Sequence, residues 1–156
     1  MIAARATAWL AVAARWYLGV LFVGACLHKI ADPHSFAVDV ATYGILPLAF
    51  VNVTAIVLPW VELAAGGMLL AGWRARAAAL LVFGMMLVFI AALVVALARG
   101  LDMSCGCFAS QGANENPISR LTVLRDLGWL ALAGFVLACD RGLVGIDGLI
   151  ERRGKT

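Results

Sequence analysis

The sequence predicts an all-α integral membrane protein, a four-helix bundle with both termini in the cytoplasm. Three observations point to this class. Hydrophobic residues make up 64% of the 156-residue chain and charged residues only 13%, against about 25% charged in soluble domains. The mean hydropathy is +0.99. The apolar residues also gather into runs close to the roughly 20 residues that cross a bilayer as a helix. A chain of this length is expected to form one domain, residues 1–156. Its net charge of +3 is small and dispersed, which argues against nucleic acid as a partner and leaves membrane lipid as the immediate surroundings.

The spans are expected at about residues 6–27, 50–71, 77–98 and 121–139. Ala77 to Ala98 runs without a single charge. Phe50 to Ala71 is interrupted by Asn52, Pro59 and Glu62. The first span carries Arg15 and the last Arg125 and Asp126. Charges inside a bundle can face its interior and pair there. Arg5 gives the first span some likeness to a signal peptide. The apolar stretch nevertheless continues to Leu27, and no polar mature segment follows a small-residue cleavage site, so an uncleaved helix is expected.

Basic residues of the short connections set the orientation. Arg5, Arg74, Arg76, Arg141, Arg152, Arg153 and Lys155 fall on one face, and they outnumber Lys29, Arg99 and Arg120 on the other. The first face is therefore expected in the cytoplasm. The connections 28–46 and 99–120 then lie outside, on the periplasmic or extracellular side of an inner (plasma) membrane. Asp32-Pro33 reads as a turn. Phe36, Val40 and Tyr43 recur at helical spacing and suggest a short interfacial helix.

The second outer connection carries Cys105-Gly106-Cys107. A staple across one residue closes too small a loop to stabilise a fold, and a strained, exposed disulfide is the labile or catalytic kind. The outer side is also where disulfides persist. Cys105 and Cys107 are thus the candidate redox pair, with Arg99, Arg120 and Arg125 close enough in sequence to stabilise a thiolate. Two soft thiolates with His28 or His34 would also suit Cu(I) or zinc, but the four ligands of a closed zinc site are not evident. Cys26, at the outer end of the first span, is either a relay thiol or a small buried residue in a helix interface. Cys139 falls at the opposite membrane face and is not expected to pair with the others.

The embedded charges form the second set of candidates. At about 1.5 Å of rise per residue, Arg15 and Glu62 both fall near the midplane of their spans, so an Arg15–Glu62 ion pair is expected. Glu62 then serves as a proton carrier, as a contact for a quinone headgroup with Trp60 nearby, or simply as half of an interhelical clamp. Arg125 and Asp126, adjacent on one helix, are expected to point apart and find separate partners, Lys29 and Asp32 among them. There they can hold or tune the cysteine connection. Gly19, Gly24, Gly66 and Gly67 read as close helix-packing positions.

Several stretches together resemble a known family. They are Arg15-x-x-x-Gly19, Lys29 with Asp32-Pro33, Phe36 with Tyr43-Gly44-Ile45-Leu46-Pro47, Leu58-Pro59-Trp60-Val61-Glu62-Leu63, and Arg99-Gly100-Leu101-Asp102 leading to Cys105-Gly106-Cys107-Phe108, followed by Arg125-Asp126. The pattern resembles the MauE branch of the DoxX-like membrane proteins, over residues from about 15 to 126. Ala109 stands where that pattern has Gly, and Cys26 lies outside it. The resemblance implies a four-helix membrane protein tied to periplasmic disulfide chemistry. Its implied partner is a thioredoxin-like protein or a disulfide-containing client, with quinone as a candidate cofactor. The function so expected is a thiol–disulfide oxidoreductase working through Cys105 and Cys107. A non-catalytic membrane subunit or assembly factor and a metal-handling protein are the alternatives.

Overall fold

The computed structural model describes residues 2–101, 118–140 and 144–148, with side chains from residue 6 onward. Among the described residues five helices follow one another: α1 (Ile2–Ala31), α2 (Pro33–Thr42), α3 (Leu48–Ala71), α4 (Ala75–Ala98) and α5 (Arg120–Cys139). Segments of four of them, Ala6–Ala31, Leu48–Ala71, Ala75–Ala98 and Arg120–Cys139, are long and apolar enough to cross a membrane. The protein is an all-α membrane four-helix bundle.

The spanning helices run alternately up and down. α1 packs on α3, α3 on α4, α4 on α5, and α5 back on α1, which closes the ring. The beginning of α1 and the end of α5 share one end of the bundle, called here the terminal end. The other, called the α2 end, carries the short helix α2 packed against α3. One core cluster, including Leu18, Phe22, Ala65, Leu69, Val82, Met86, Ala133 and Val136, draws on all four spanning helices. Large apolar residues such as Leu10, Val20, Phe50, Val53, Leu80, Val88 and Leu124 face outward. That inversion of the soluble pattern is what a lipid solvent favours.

Small residues determine how closely α1 and α3 approach. A Cβ on Gly66 would meet the Gly19 carbonyl oxygen at 3.0 Å, and one on Gly19 would lie 2.7 Å from Leu70 Cγ. These two glycines are packing positions, as in other membrane helix pairs. Gly24 and Gly67, expected to act likewise, have nothing within 4 Å of a built Cβ.

The first span is longer than the expected 6–27, because α1 continues through His28 and Lys29 to Ala31. Lys29 stays in the helix because it finds an acidic partner across the interface, described below. Asp32 and Pro33 then start α2 rather than forming an isolated turn. The Asp32 carboxylate accepts from the Ser35 N–H at 3.0 Å and the Ser35 hydroxyl at 2.6 Å, and Pro33 occupies a first-turn position where a missing N–H costs nothing. These bonds to the ionised form hold the Asp32 carboxyl below its ordinary range. α5 begins with a reciprocal cap between Ser119 and Thr122.

Candidate functional site

From the last turn of α1, Lys29 reaches across to Glu62 in the middle of α3. Its Nζ donates to both carboxylate oxygens at 2.9 Å, and both side chains are nearly inaccessible. The ammonium also lies 4.9 Å from the centroid of the Phe36 ring on α2, so α2 packs against the pair. Cys26, one turn before Lys29, is fully buried and free, and its thiol donates to the Val23 carbonyl at 3.1 Å.

Arg15 is engaged elsewhere, so the expected Arg15–Glu62 pair does not form. Its Nη1 lies 3.0 Å from Asp140 Oδ2, and its Nη2 donates to the Val144 carbonyl at 2.8 Å. The reason is register. Gly19 packs against Gly66, and the Gly72 position faces the Arg15 guanidinium, which places Arg15 beside the end of α3 rather than beside its middle. Glu62 sits about two turns closer to the α2 end, roughly 12 Å along the axis.

The Arg15 site is part of a built knot at the terminal end. Residues 144–148 fold back over the α3–α4 turn, where Gly72 (φ 63°) and Gly145 (φ 120°) touch backbone to backbone. Side chains at either position would both strain the backbone and collide. The Asp147 carboxylate accepts from the Arg74 and Ala75 N–H groups at 2.8 and 3.0 Å, capping α4 from a distant point in the chain. Sequence reasoning did not single out Asp140 or Asp147. An acid immediately after a span that begins with Arg125-Asp126 was the available signal for the first, and there was none for the second.

Arg125 and Asp126 also depart from expectation. They bond to each other, Arg125 Nε donating to Asp126 Oδ1 at 3.1 Å. Asp126 is fully buried while Arg125 remains 41% exposed. Of the partners expected for this dipeptide, Lys29 holds Glu62 and Asp32 caps α2. The other Asp126 oxygen, Oδ2, is buried without a hydrogen-bond partner among the described residues. The Arg125 guanidinium lies 4.6 Å from the Trp129 ring centroid, and Trp129 Nε1 donates to the Tyr17 hydroxyl at 3.2 Å. Tyr43, buried beside Leu93, Ala96 and Ile118, has its phenol pushed above the usual tyrosine range by burial and by the nearby carboxylates of Asp39 and Asp126.

Trp60 is 57% exposed and Glu62 is buried, because residues two apart on a helix face nearly opposite ways. The structure therefore does not bring Trp60 and Glu62 into one interior site. Cys139 is a free thiol near the terminal end. Cys105 and Cys107 lie outside the described residues. Their segment joins the end of α4 to the start of α5, both at the α2 end of the bundle.

Comparison with known proteins adds the family. The profile of "Methylamine utilisation protein MauE" matches residues 7–139. The chain is 39% identical over 132 residues to "Methylamine utilization protein MauE" of Paracoccus denitrificans, covering 84% of this chain and 68% of that one. No solved structure matches significantly. The match spans α1 to α5, including Lys29, Glu62 and the Arg125–Asp126 pair, and on these grounds the chain belongs to the MauE family of membrane proteins.

Proposed function

We propose that this protein is a membrane thiol–disulfide oxidoreductase serving methylamine utilisation or a comparable pathway of periplasmic protein maturation. The observation that carries the reading is the Cys105-Gly106-Cys107 spacing within the connection between α4 and α5 of a MauE-family bundle. The α2 end faces the periplasm, where a soluble thioredoxin-like partner or a disulfide-containing client has access to the pair.

In the direction of client oxidation, a client thiolate attacks the Cys105–Cys107 disulfide and forms a mixed disulfide. The client's second thiolate then displaces the bound cysteine. The client leaves as a disulfide and the pair as a dithiol. Two electrons and two protons pass on to a lipid-soluble quinone, which becomes a quinol. The same steps run backwards for client reduction. Lys29, Glu62 and Arg15 hold the bundle together under this reading, since each is already engaged by an oppositely charged side chain.

Trapping free thiols in native membranes tests the reading. Cys105 and Cys107 should shift between oxidised and reduced forms when quinone is supplied or withheld, and replacing both with Ser should abolish maturation of the client. Full maturation in that double variant would instead mark the chain as a non-catalytic membrane subunit that positions its partner.

A further inference from the structure

Asn52, Ile56 and Trp60 follow one another at four-residue intervals on α3 and form a single ridge along that helix. All three are exposed, although α3 packs against α1, α2 and α4. Two of the three are polar. From the start of α3, Asn52 lies roughly 6 Å and Trp60 roughly 18 Å along the axis, in a helix of 24 residues. Trp60 is therefore at mid-span, far from the headgroup level where tryptophan usually sits. Asn52 has exposed Leu48, Phe50 and Val53 for neighbours, so it too faces hydrocarbon.

Neither the Asn52 amide nor the Trp60 indole N–H has a hydrogen-bond partner among the described residues. The charged pairs Lys29–Glu62 and Arg15–Asp140 are satisfied inside the bundle, and the polar groups of this ridge are not. Hydrocarbon holds no water to replace a missing partner. Side-chain amides on membrane helices accordingly bond across to another helix.

We propose that this ridge is the contact between two copies of the chain, related by a two-fold axis along the membrane normal. Copies inserted in the same orientation bring equal depths of α3 together. Asn52 then meets the second copy's Asn52. Each amide carries both donor and acceptor, so the two bond reciprocally. Ile56 packs at the crossing, and the Trp60 rings meet one turn deeper and supply the large apolar anchor. A lipid tail offers the amide neither donor nor acceptor, and a phospholipid headgroup stays well above Trp60. A two-fold copy supplies the matching group at the matching depth. The contact does not depend on the thiol chemistry of Cys105 and Cys107.

The test uses the whole chain, fused at its C-terminus to a donor or an acceptor fluorescent protein, in vesicles of phosphatidylethanolamine and phosphatidylglycerol. Energy transfer over a series of protein-to-lipid ratios should follow a monomer–dimer equilibrium. Asn52→Leu removes the amide and should weaken dimerisation about three- to thirtyfold, the range for hydrogen bonds between membrane helices. Asn52→Gln keeps donor and acceptor and should restore most of the affinity. Benzoylphenylalanine in place of Ile56 should cross-link to α3 of the second copy on illumination. That experiment leaves Asn52 in place, so it decides the matter even where Asn52→Leu fails to fold. Energy transfer no greater than chance proximity at every ratio overturns the proposal, and so does unchanged affinity in a folded Asn52→Leu. Cross-links confined to lipid, or falling on a helix other than α3, overturn it as well. In native membranes, a cross-link from position 56 to a different protein instead of a second copy has the same consequence.

Discussion

Lys29 Nζ lies 2.9 Å from each carboxylate oxygen of Glu62, joining the last turn of α1 to the middle of α3. Two charges taken this far from water are costly, and their attraction repays the cost only while both are present. Replacing Lys29 with Met alone leaves Glu62 charged and unpartnered. The expected loss is about 3–5 kcal/mol of stability, read from thermal or denaturant unfolding in detergent. The Lys29→Met/Glu62→Leu double variant removes both charges and should recover much of that loss. Equal loss in the single and double variants would show that the pair is not coupled.

Arg15 makes a second clamp of a different kind. Its guanidinium serves Asp140 through one nitrogen and the Val144 carbonyl through another. Lysine brings charge but not a planar fork that reaches two acceptors. Arg15→Lys should therefore loosen residues 144–148, while Asp140 keeps a cation nearby. Hydrogen exchange at the Asp147 backbone N–H, which donates to the Gly72 carbonyl at 3.0 Å, should speed up measurably. Exchange unchanged from the parent protein would place the hold on this segment with Asp147 and the two glycines instead.

The bundle was legible in the sequence because hydropathy is a property of whole segments, and a span needs only length and composition. The embedded charges were legible as positions but not as pairs. Pairing depends on the offset between neighbouring helices. That offset is set where Gly19 meets Gly66, a contact whose register no single-chain pattern encodes. Once it is fixed, Arg15 falls beside Gly72 and Glu62 beside Lys29. The Arg125–Trp129 stack follows the i, i+4 rule and was open to sequence reading, whereas the Trp129–Tyr17 bond again depends on helix register.

The same glycines allow a direct check of that register. At Gly66, an added Cβ meets the Gly19 carbonyl oxygen and Val23 Cγ2, both at 3.0 Å, and the Val23 backbone nitrogen at 3.2 Å. Two of these three neighbours are backbone atoms, which yield little. Gly66→Ala should cost about 1–3 kcal/mol through overpacking. Gly67→Ala meets nothing within 4 Å and should be neutral or slightly stabilising, because alanine favours the helix by about 0.5–1 kcal/mol. Parallel unfolding of the two variants decides the matter, and equal behaviour would contradict the packing.

The Asp32 cap makes α2 sensitive to acid. Bonds from Ser35 hold the folded carboxyl below its ordinary value, so the ionised form favours the folded helix. The sign follows from linkage: the contribution is complete above the unfolded carboxyl's pKa, about 3.9, and disappears as pH falls through the lower folded value. α2 should therefore keep its order at neutral pH and fray progressively below about pH 4. Asp32→Ala should show the frayed behaviour at every pH, and Asp32→Asn, which can still accept from the Ser35 N–H, should lose most of the pH dependence. A paramagnetic or fluorescent label on exposed Val38 would report the fraying as faster local motion. If the parent protein and Asp32→Ala responded identically to acid, the carboxylate would not be what holds the first turn of α2 over the Lys29–Glu62 pair.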